Sequence, residues 1–246
     1  MTTLFVTGTG TGVGKTVVTA AVAALALGRS ARCAVVKPGQ TGVAPGEPGD
    51  LADVARLTGA GDLHELVRYP DPLSPAAAAR RAGLPPLDQA AAVQLLLSLS
   101  DRDLVLVEGA GGLLVRFDED GLTLADLARA VRAPVLVVAD PALGTLNSTA
   151  LTLEALAHRG LELAGVVVGS WPDNPGLAER SNLRDLETLA ARPLAGVLPT
   201  GAGALDREAF LQAARAGLAP QLGGSFDPAA FRRRFAGDPP PGRMDG

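Results

Sequence analysis

The sequence predicts an α/β fold: a doubly wound, mostly parallel sheet with helices on both faces. Three observations predict it. Short, continuous apolar runs recur along the chain, each bounded by Gly, Pro or Asp, as in parallel strands buried on both faces. Helical stretches alternate with these runs, which calls for βαβ crossovers and a covered sheet. The polar, glycine-rich motifs sit just after strands, where open α/β sheets collect ligands.

In order, the strand runs are residues 3–7, 33–38, 104–107, 134–139, 163–169 and 195–198. The helical stretches are residues 14–27, 50–58, 88–99, 123–131, 145–159, 176–191 and 206–218. The second strand is expected beside the first. No internal repeat is visible. Residues 43–49 are rich in Pro and Gly and read as a mobile loop. Residues 1–222 read as a single domain. The tail, 223–246, carries Arg232, Arg233 and Arg234 and then a Pro-rich end. It reads as a short helix followed by disorder.

Composition narrows the function classes. Of 246 residues, 47% are hydrophobic and 20% charged, as in soluble globular proteins. A net charge of −4 argues against nucleic acid as a general partner. One cysteine, Cys33, excludes an internal disulfide and fits a reducing, cytoplasmic setting. The longest apolar run, within residues 17–27, is too short to cross a bilayer, so no membrane role is expected. The first strand enters a glycine-rich loop directly, leaving no room for a leader segment. Among 22 basic residues only Lys15 and Lys37 are lysines. Surface charge tolerates either residue, so a chain that uses arginine elsewhere kept lysine where a compact ammonium is needed.

The segment Thr7-Gly8-Thr9-Gly10-Thr11-Gly12-Val13-Gly14-Lys15-Thr16 follows the first strand and opens the first helix. Its glycines let backbone N–H groups curl around phosphate oxygens at a helix N-terminus. Lys15 reaches the β- and γ-phosphates in such a loop, and the Thr16 hydroxyl ligates Mg²⁺. Gly12, Val13, Gly14 and Val17 complete the cradle. The strict pattern places glycine at position 9, where this chain has Thr9, so the loop is a variant. The fold is thereby specified further, as P-loop NTPase architecture.

Leu104-Val105-Leu106-Val107-Glu108-Gly109-Ala110-Gly111-Gly112 is an apolar strand ending in an acid and then glycines. An acid at a strand tip beside a P-loop is placed for the second Mg²⁺ contact, and Gly109, Ala110 and Gly111 let backbone approach the nucleotide. A turn glutamate held by local hydrogen bonds is the plainer reading. Asp50 opens a helix and is a further metal candidate; an N-cap carboxylate competes with that role, and Asp53, one turn on, is its substitute. Lys37-Pro38-Gly39-Gln40-Thr41-Gly42 follows the second strand. A lysine without a partner in its own segment points to an anionic ligand, with a structural salt bridge to Glu108 or Asp50 as the alternative. Thr41 offers a hydroxyl nearby. Gly144-Thr145-Leu146-Asn147 opens a long helix, whose free N–H groups form an anion site; a plain helix start is the alternative.

Together, Gly8-Thr-x-Thr-x-Val-Gly-Lys-Thr16, Lys37-Pro-x-Gln-Thr-Gly42, Val107-Glu-Gly-Ala-Gly-Gly112 and Leu143-Gly-Thr-Leu-Asn147 resemble the motifs of the dethiobiotin synthetases, in order and over residues 2–220. That family carboxylates one amine of 7,8-diaminononanoate with CO₂. The carbamate attacks the γ-phosphate of ATP, and the second amine closes a cyclic urea. The resemblance implies Lys15, Lys37 and Thr11 as catalytic groups. It implies Thr16, Asp50 and Glu108 as Mg²⁺ ligands, and Thr41 on the diamine. It also implies a homodimer in which Gly144, Thr145, Leu146 and Asn147 of the other subunit hold the substrate carboxylate.

The chain departs from the family pattern in places. Gly39 replaces a frequent valine and is expected to loosen its loop. Gly169-Ser170-Trp171 replaces an Asn-Asp pair that reads adenine, so other nucleoside triphosphates are expected to serve. Pro199, Thr200 and Gly201 match the other base-side loop by position. His64, His158 and Cys33 read as bland, and Trp171 as packing or a base-side wall. One rival is a P-loop switch ATPase of the partitioning or cell-division-site type; its signature lysine is replaced here by Gly10 and Thr11. The other is the synthetase domain of a cobyrinate-type amidotransferase, whose glutaminase domain does not fit in 246 residues.

Overall fold

Alternate residues of the first strand enter opposite apolar layers, Phe5 one and Leu4 and Val6 the other. That alternation makes it an interior strand covered on both faces. The computed structural model describes residues 2–235. Among them, seven strands form one sheet: β1 (Thr2–Gly8), β2 (Cys33–Thr41), β3 (Leu63–Tyr69), β4 (Leu104–Gly112), β5 (Val135–Ala139), β6 (Leu163–Trp171) and β7 (Gly196–Pro199). Their order is β3-β2-β4-β1-β5-β6-β7, and every pairing is parallel.

The helices are α1 (Lys15–Leu27), α2 (Asp50–Thr58), α3 (Pro75–Ala82), α4 (Gln89–Ser98), α5 (Leu124–Ala130), α6 (Thr145–His158), α7 (Leu177–Ala190), α8 (Arg207–Gly217) and α9 (Pro228–Phe235). Helices α1, α2 and α8 bury Val18, Leu57 and Phe210 on one face of the sheet. Helices α4 to α7 bury Leu96, Leu127, Leu156 and Leu186 on the other. No described helix is long and apolar enough to cross a membrane.

Three features differ from the sequence expectation. The second strand is not beside the first, because β4 lies between them and pairs with both. Val105, Leu106 and Val107 are fully buried, and a strand apolar on both faces takes the sheet interior. The edge strand β3 and helix α3 were not foreseen. β3 carries His64, Glu65 and Arg68 in its middle and is only half buried until Tyr69, so it lacks an uninterrupted apolar run. The buried face of α3 is proline and alanine, with no large side chains to mark a period. Residues 43–49 are also fastened rather than loose: Arg68 donates to the Ala44 and Glu47 carbonyls at 3.2 and 2.7 Å.

In the tail, α9 packs onto Trp171, with the Phe231 and Phe235 rings 5.3 and 5.4 Å from it, edge on. Arg232 pairs with Glu187. The remaining tail expectation concerns residues 236–246 and lies outside the described residues.

Trp171 is the one tryptophan in the chain, so it reports on this contact. Phe231 is partly buried against the core, so Phe231→Ala loses about half of the ~3–5 kcal/mol of a fully buried ring. The expected result is a red-shifted emission and a Tm lowered by roughly 3–10 °C. An unshifted spectrum and Tm would show that α9 does not pack there.

Candidate active site

β1 ends at Gly8 and α1 begins at Lys15, so the intervening loop must turn tightly at the C-terminal edge of the sheet. The first N–H groups of α1 face into that turn. Thr9, at the position where the regular motif has glycine, donates its N–H to Val138 O at 2.9 Å and stitches the loop to β5. The loop also lies backbone to backbone on β6. A Cβ on Gly169 would stand 2.0 Å from Val13 O, and one on Gly14 would stand 2.7 Å from Gly169 O. Position 169 is thus committed to seating the phosphate loop, and no asparagine fits there.

Lys15 is buried, and its ammonium donates to Gly10 O at 2.9 Å. Burial, and then the charge of Lys37, push its pKa below the ordinary 10.5. Thr16 Oγ1 donates to Glu108 Oε1 at 2.9 Å. Lys37 lies inside β2 rather than after it, and its side chain is 3% exposed. Its ammonium pairs with the Asp50 carboxylate, donates to Glu108 Oε1 at 2.8 Å and to Gly109 O at 3.2 Å. Burial alone lowers the pKa of Lys37, but the Glu108 and Asp50 carboxylates outweigh it and leave it raised. The salt bridge that the sequence left as an alternative is therefore present, with both candidate partners at once.

Glu108 is fully buried, and β4 continues past it to Gly112. Its Oε2 has no hydrogen-bond partner. The competing N-cap role for Asp50 falls away: Gly49 caps α2, and Asp50 is the first helical residue. Asp53 turns aside to Arg56 at 3.0 Å. The donors at this point are a hydroxyl and two carboxylates, one with an unpartnered buried oxygen. That is the hard oxygen set a Mg²⁺ ion takes alongside phosphates and water.

These groups line one cleft of about 640 Å³. On its phosphate side are Thr11, Gly12, Gly14, Lys15, Thr16 and Val17, and beside them Lys37, Thr41, Asp50, Glu108, Ala110 and Gly111. The cleft also includes residues the sequence reading missed: Gln40, Pro72, Leu73, Ser74, Pro75 and Val115. Four of them follow the unforeseen β3. The run Leu66-Val67-Arg68-Tyr69 before a Pro-rich turn was the available signal. Gly39 is a strand residue rather than a loosened loop; a Cβ there would meet Phe117 at 3.2 Å and Pro75 at 3.5 Å.

Other expected residues lie apart from this cleft. Ser170 and Thr200 join hydroxyls at 2.8 Å, and Thr200 N–H donates to Trp171 O at 2.8 Å. Pro199 stands in register with Trp171, next to Gly201. Gly144 caps α6 with φ +97°; Thr145 is buried, Leu146 half-buried and Asn147 exposed. His64 pairs with Asp62, and His158 is exposed. Cys33 is buried, and its thiol pKa is pushed up to about 12 by burial and the charge of Asp62, so it is not a nucleophile.

The fold and site define a P-loop nucleotide-binding protein, and a family model described as an AAA domain matches residues 2–204. A protein from Frankia casuarinae called an ATP-dependent dethiobiotin synthetase is 67% identical over 96% of this chain and 99% of its own. One of the same description from Saccharopolyspora erythraea is 63% identical over 92% and 99%. The chain belongs to the dethiobiotin synthetase family. Among solved structures, the septum site-determining protein MinD from Pyrococcus horikoshii, complexed with Mg-ADP, matches with TM-score 0.51 and 18% identity over 86% of each chain. A ParA family ATPase from Chlorobium tepidum matches with TM-score 0.51 and 15% identity over 89% and 95%. These two share the fold alone.

Because folding depresses the pKa of Lys15, its charged form subtracts stability at neutral pH. That penalty is relieved only as pH rises through the depressed value towards 10.5. Lys15→Met removes the penalty, so at pH 7 its Tm should exceed that of the parent, by about 2–4 °C per kcal/mol recovered, while nucleotide binding is lost. A Tm below the parent's would contradict a strained, functional lysine.

Proposed function

We propose that the chain makes dethiobiotin from 7,8-diaminononanoate and CO₂ or bicarbonate, with Mg²⁺ and a nucleoside triphosphate, normally ATP. The observation that carries this reading is the pair of lysines on one cleft: Lys15 in the phosphate loop, and Lys37 held charged by Glu108 and Asp50. A carbamate and a γ-phosphate are both anions, and bringing them together needs fixed positive charge. Removing one such preorganised group typically costs about 10²–10³ in rate.

In this reading one amine of the diamine adds CO₂ and loses a proton, giving a carbamate. The carbamate oxygen bonds to the γ-phosphorus as the bond to the ADP oxygen breaks. The second amine then attacks the carbamoyl carbon, closing the C–N bond and expelling phosphate. Positioning accounts for most of the rate, since phosphoryl transfer asks little covalent help of a protein. Thr11 and Thr41 orient the carbamate and the diamine, and residues 12–17 with Gly109, Ala110 and Gly111 cradle the phosphates. Thr16, Asp50 and Glu108 would hold Mg²⁺, which supplies charge neutralisation on the phosphates when bound.

The base lies between Gly169–Ser170 and Pro199, Thr200 and Gly201. The substrate carboxylate rests on Gly144, Thr145, Leu146 and Asn147 of a second subunit, so the working enzyme is a homodimer. We place the synthetase domain at residues 1–222 and the enzyme in the cytoplasm. Identities above 60% to two named synthetases support this reading over a switch ATPase, which shares only the fold, and over a cobyrinate-type amidotransferase.

The Ser170 and Thr200 hydroxyls can each donate or accept, so they do not demand the donor–acceptor pattern of adenine over that of another base. Incubation with diaminononanoate, bicarbonate, Mg²⁺ and either ATP or CTP, with mass detection, should give dethiobiotin from both, with kcat/KM values within about tenfold, as weak hydroxyl readout implies. No dethiobiotin with any nucleotide would refute the function. A preference for ATP beyond a hundredfold would refute the base-side reading alone.

A further inference from the structure

Asp50 is delivered to the cleft by Val43-Ala44-Pro45-Gly46-Glu47-Pro48-Gly49. Two prolines there lack N–H donors, and the run forms neither helix nor strand. Such a segment does not fix a carboxylate by itself. The structure supplies the missing constraint from two neighbouring strands. Gln40 on β2 and Arg68 on β3 are register partners. Gln40 is buried, at 4% exposed; its Oε1 accepts the Asp50 N–H at 2.9 Å, and its Nε2 donates to Thr41 O at 3.2 Å. Arg68 is held in a two-point fork by Glu65, at 2.6 and 2.8 Å. Its remaining nitrogen donates to the Ala44 and Glu47 carbonyls. Gly49 closes the contact: a Cβ there would stand 2.7 Å from Gln40 Oε1 and 3.1 Å from Arg68 Nη2.

We propose that Gln40 and Arg68 are positioning residues that set the Asp50 carboxylate beside Glu108 and Thr16, and so set the enzyme's affinity for its divalent cation. The proposal rests on the reading of Asp50 as a metal ligand. Gln40 lines the cleft, and both side chains act on the ion through Asp50. Gln40 places the first residue of α2 by taking its N–H, one of the donors that a helix start leaves without an intrahelical partner. Arg68 holds the approach to it. Supporting groups of this kind typically set metal affinity by about 10–100-fold.

The test is Mn²⁺ binding followed by electron paramagnetic resonance in the presence of ADP, with Mg²⁺ activation and the KM for diaminononanoate measured beside it. Gln40→Leu should weaken Mn²⁺ binding about tenfold and raise the Mg²⁺ needed for half-activation by a like factor, a larger effect than any on the diamine KM. Gln40→Glu keeps an acceptor for the Asp50 N–H and should restore the affinity. Gly49→Ala removes no polar group and suits its backbone, yet it presses Gln40 away and should weaken Mn²⁺ several-fold. An affinity within twofold of the parent in Gln40→Leu overturns the proposal. Should that variant not fold, the same result in Gly49→Ala overturns it. Asp50→Asn separates the two readings. If it leaves Mn²⁺ binding unchanged, Asp50 is not a ligand and the underlying site assignment fails. If it weakens binding while the Gln40 and Gly49 variants do not, only the positioning role fails.

Discussion

A buried ammonium held between two carboxylates organises this molecule. Lys37 is almost sealed from solvent and meets Glu108 and Asp50 together. A charge so placed is tolerated only when it is paired and hydrogen-bonded. That requirement reaches far through the fold. Glu108 must come from the strand next to β2, so β4 takes that position and stands between β2 and the phosphate-loop strand. Asp50 must come from the start of α2, so the loop before it is tied to β2 and β3. Thr16, at the start of α1, then finds Glu108 within hydrogen-bond distance, and the phosphate loop is joined to the same cluster.

The cluster balances its charges. Lys15 and Lys37 face Asp50 and Glu108, two of each sign, and one Glu108 oxygen is left without a partner. The Lys37 ammonium ties both carboxylates to one point, Glu108 fully buried and Asp50 about one third exposed, at 34%. The two lysines are unlike. Burial and like charge lower the pKa of Lys15, whereas the two acids raise that of Lys37. Lys15 thus carries a cost that an incoming anion relieves, and Lys37 is charged in advance.

Much of this was legible in the residues. The phosphate loop, the two unmatched lysines and the acid at position 108 stand out by type and spacing, because chemistry restricts each to few substitutes. The strands with unbroken apolar runs were legible for the same physical reason: burial on both faces leaves no room for charge. The edge strand was not. β3 is bonded on one side only and spends half-buried positions on Glu65 and Arg68, which disguise it as loop. With it went the Pro72–Pro75 wall and the fastening of residues 43–49. Sheet order was also hidden, since pairing of β2 with β4 rather than β1 is set by contacts some 70 residues apart. Gly169 shows the converse: it reads as a missing base contact in the sequence and as the seat of the phosphate loop in three dimensions.

The central claim is that the Lys37 ammonium, and not merely a positive charge at that place, serves the reaction. Lys37→Arg keeps the charge but exchanges a compact ammonium for a planar fork. Nucleotide affinity and single-turnover product formation, measured on the same variant, test the claim directly. The account predicts nucleotide binding within a few-fold of the parent and turnover reduced by about 10²–10³. Turnover equal to the parent's would contradict it.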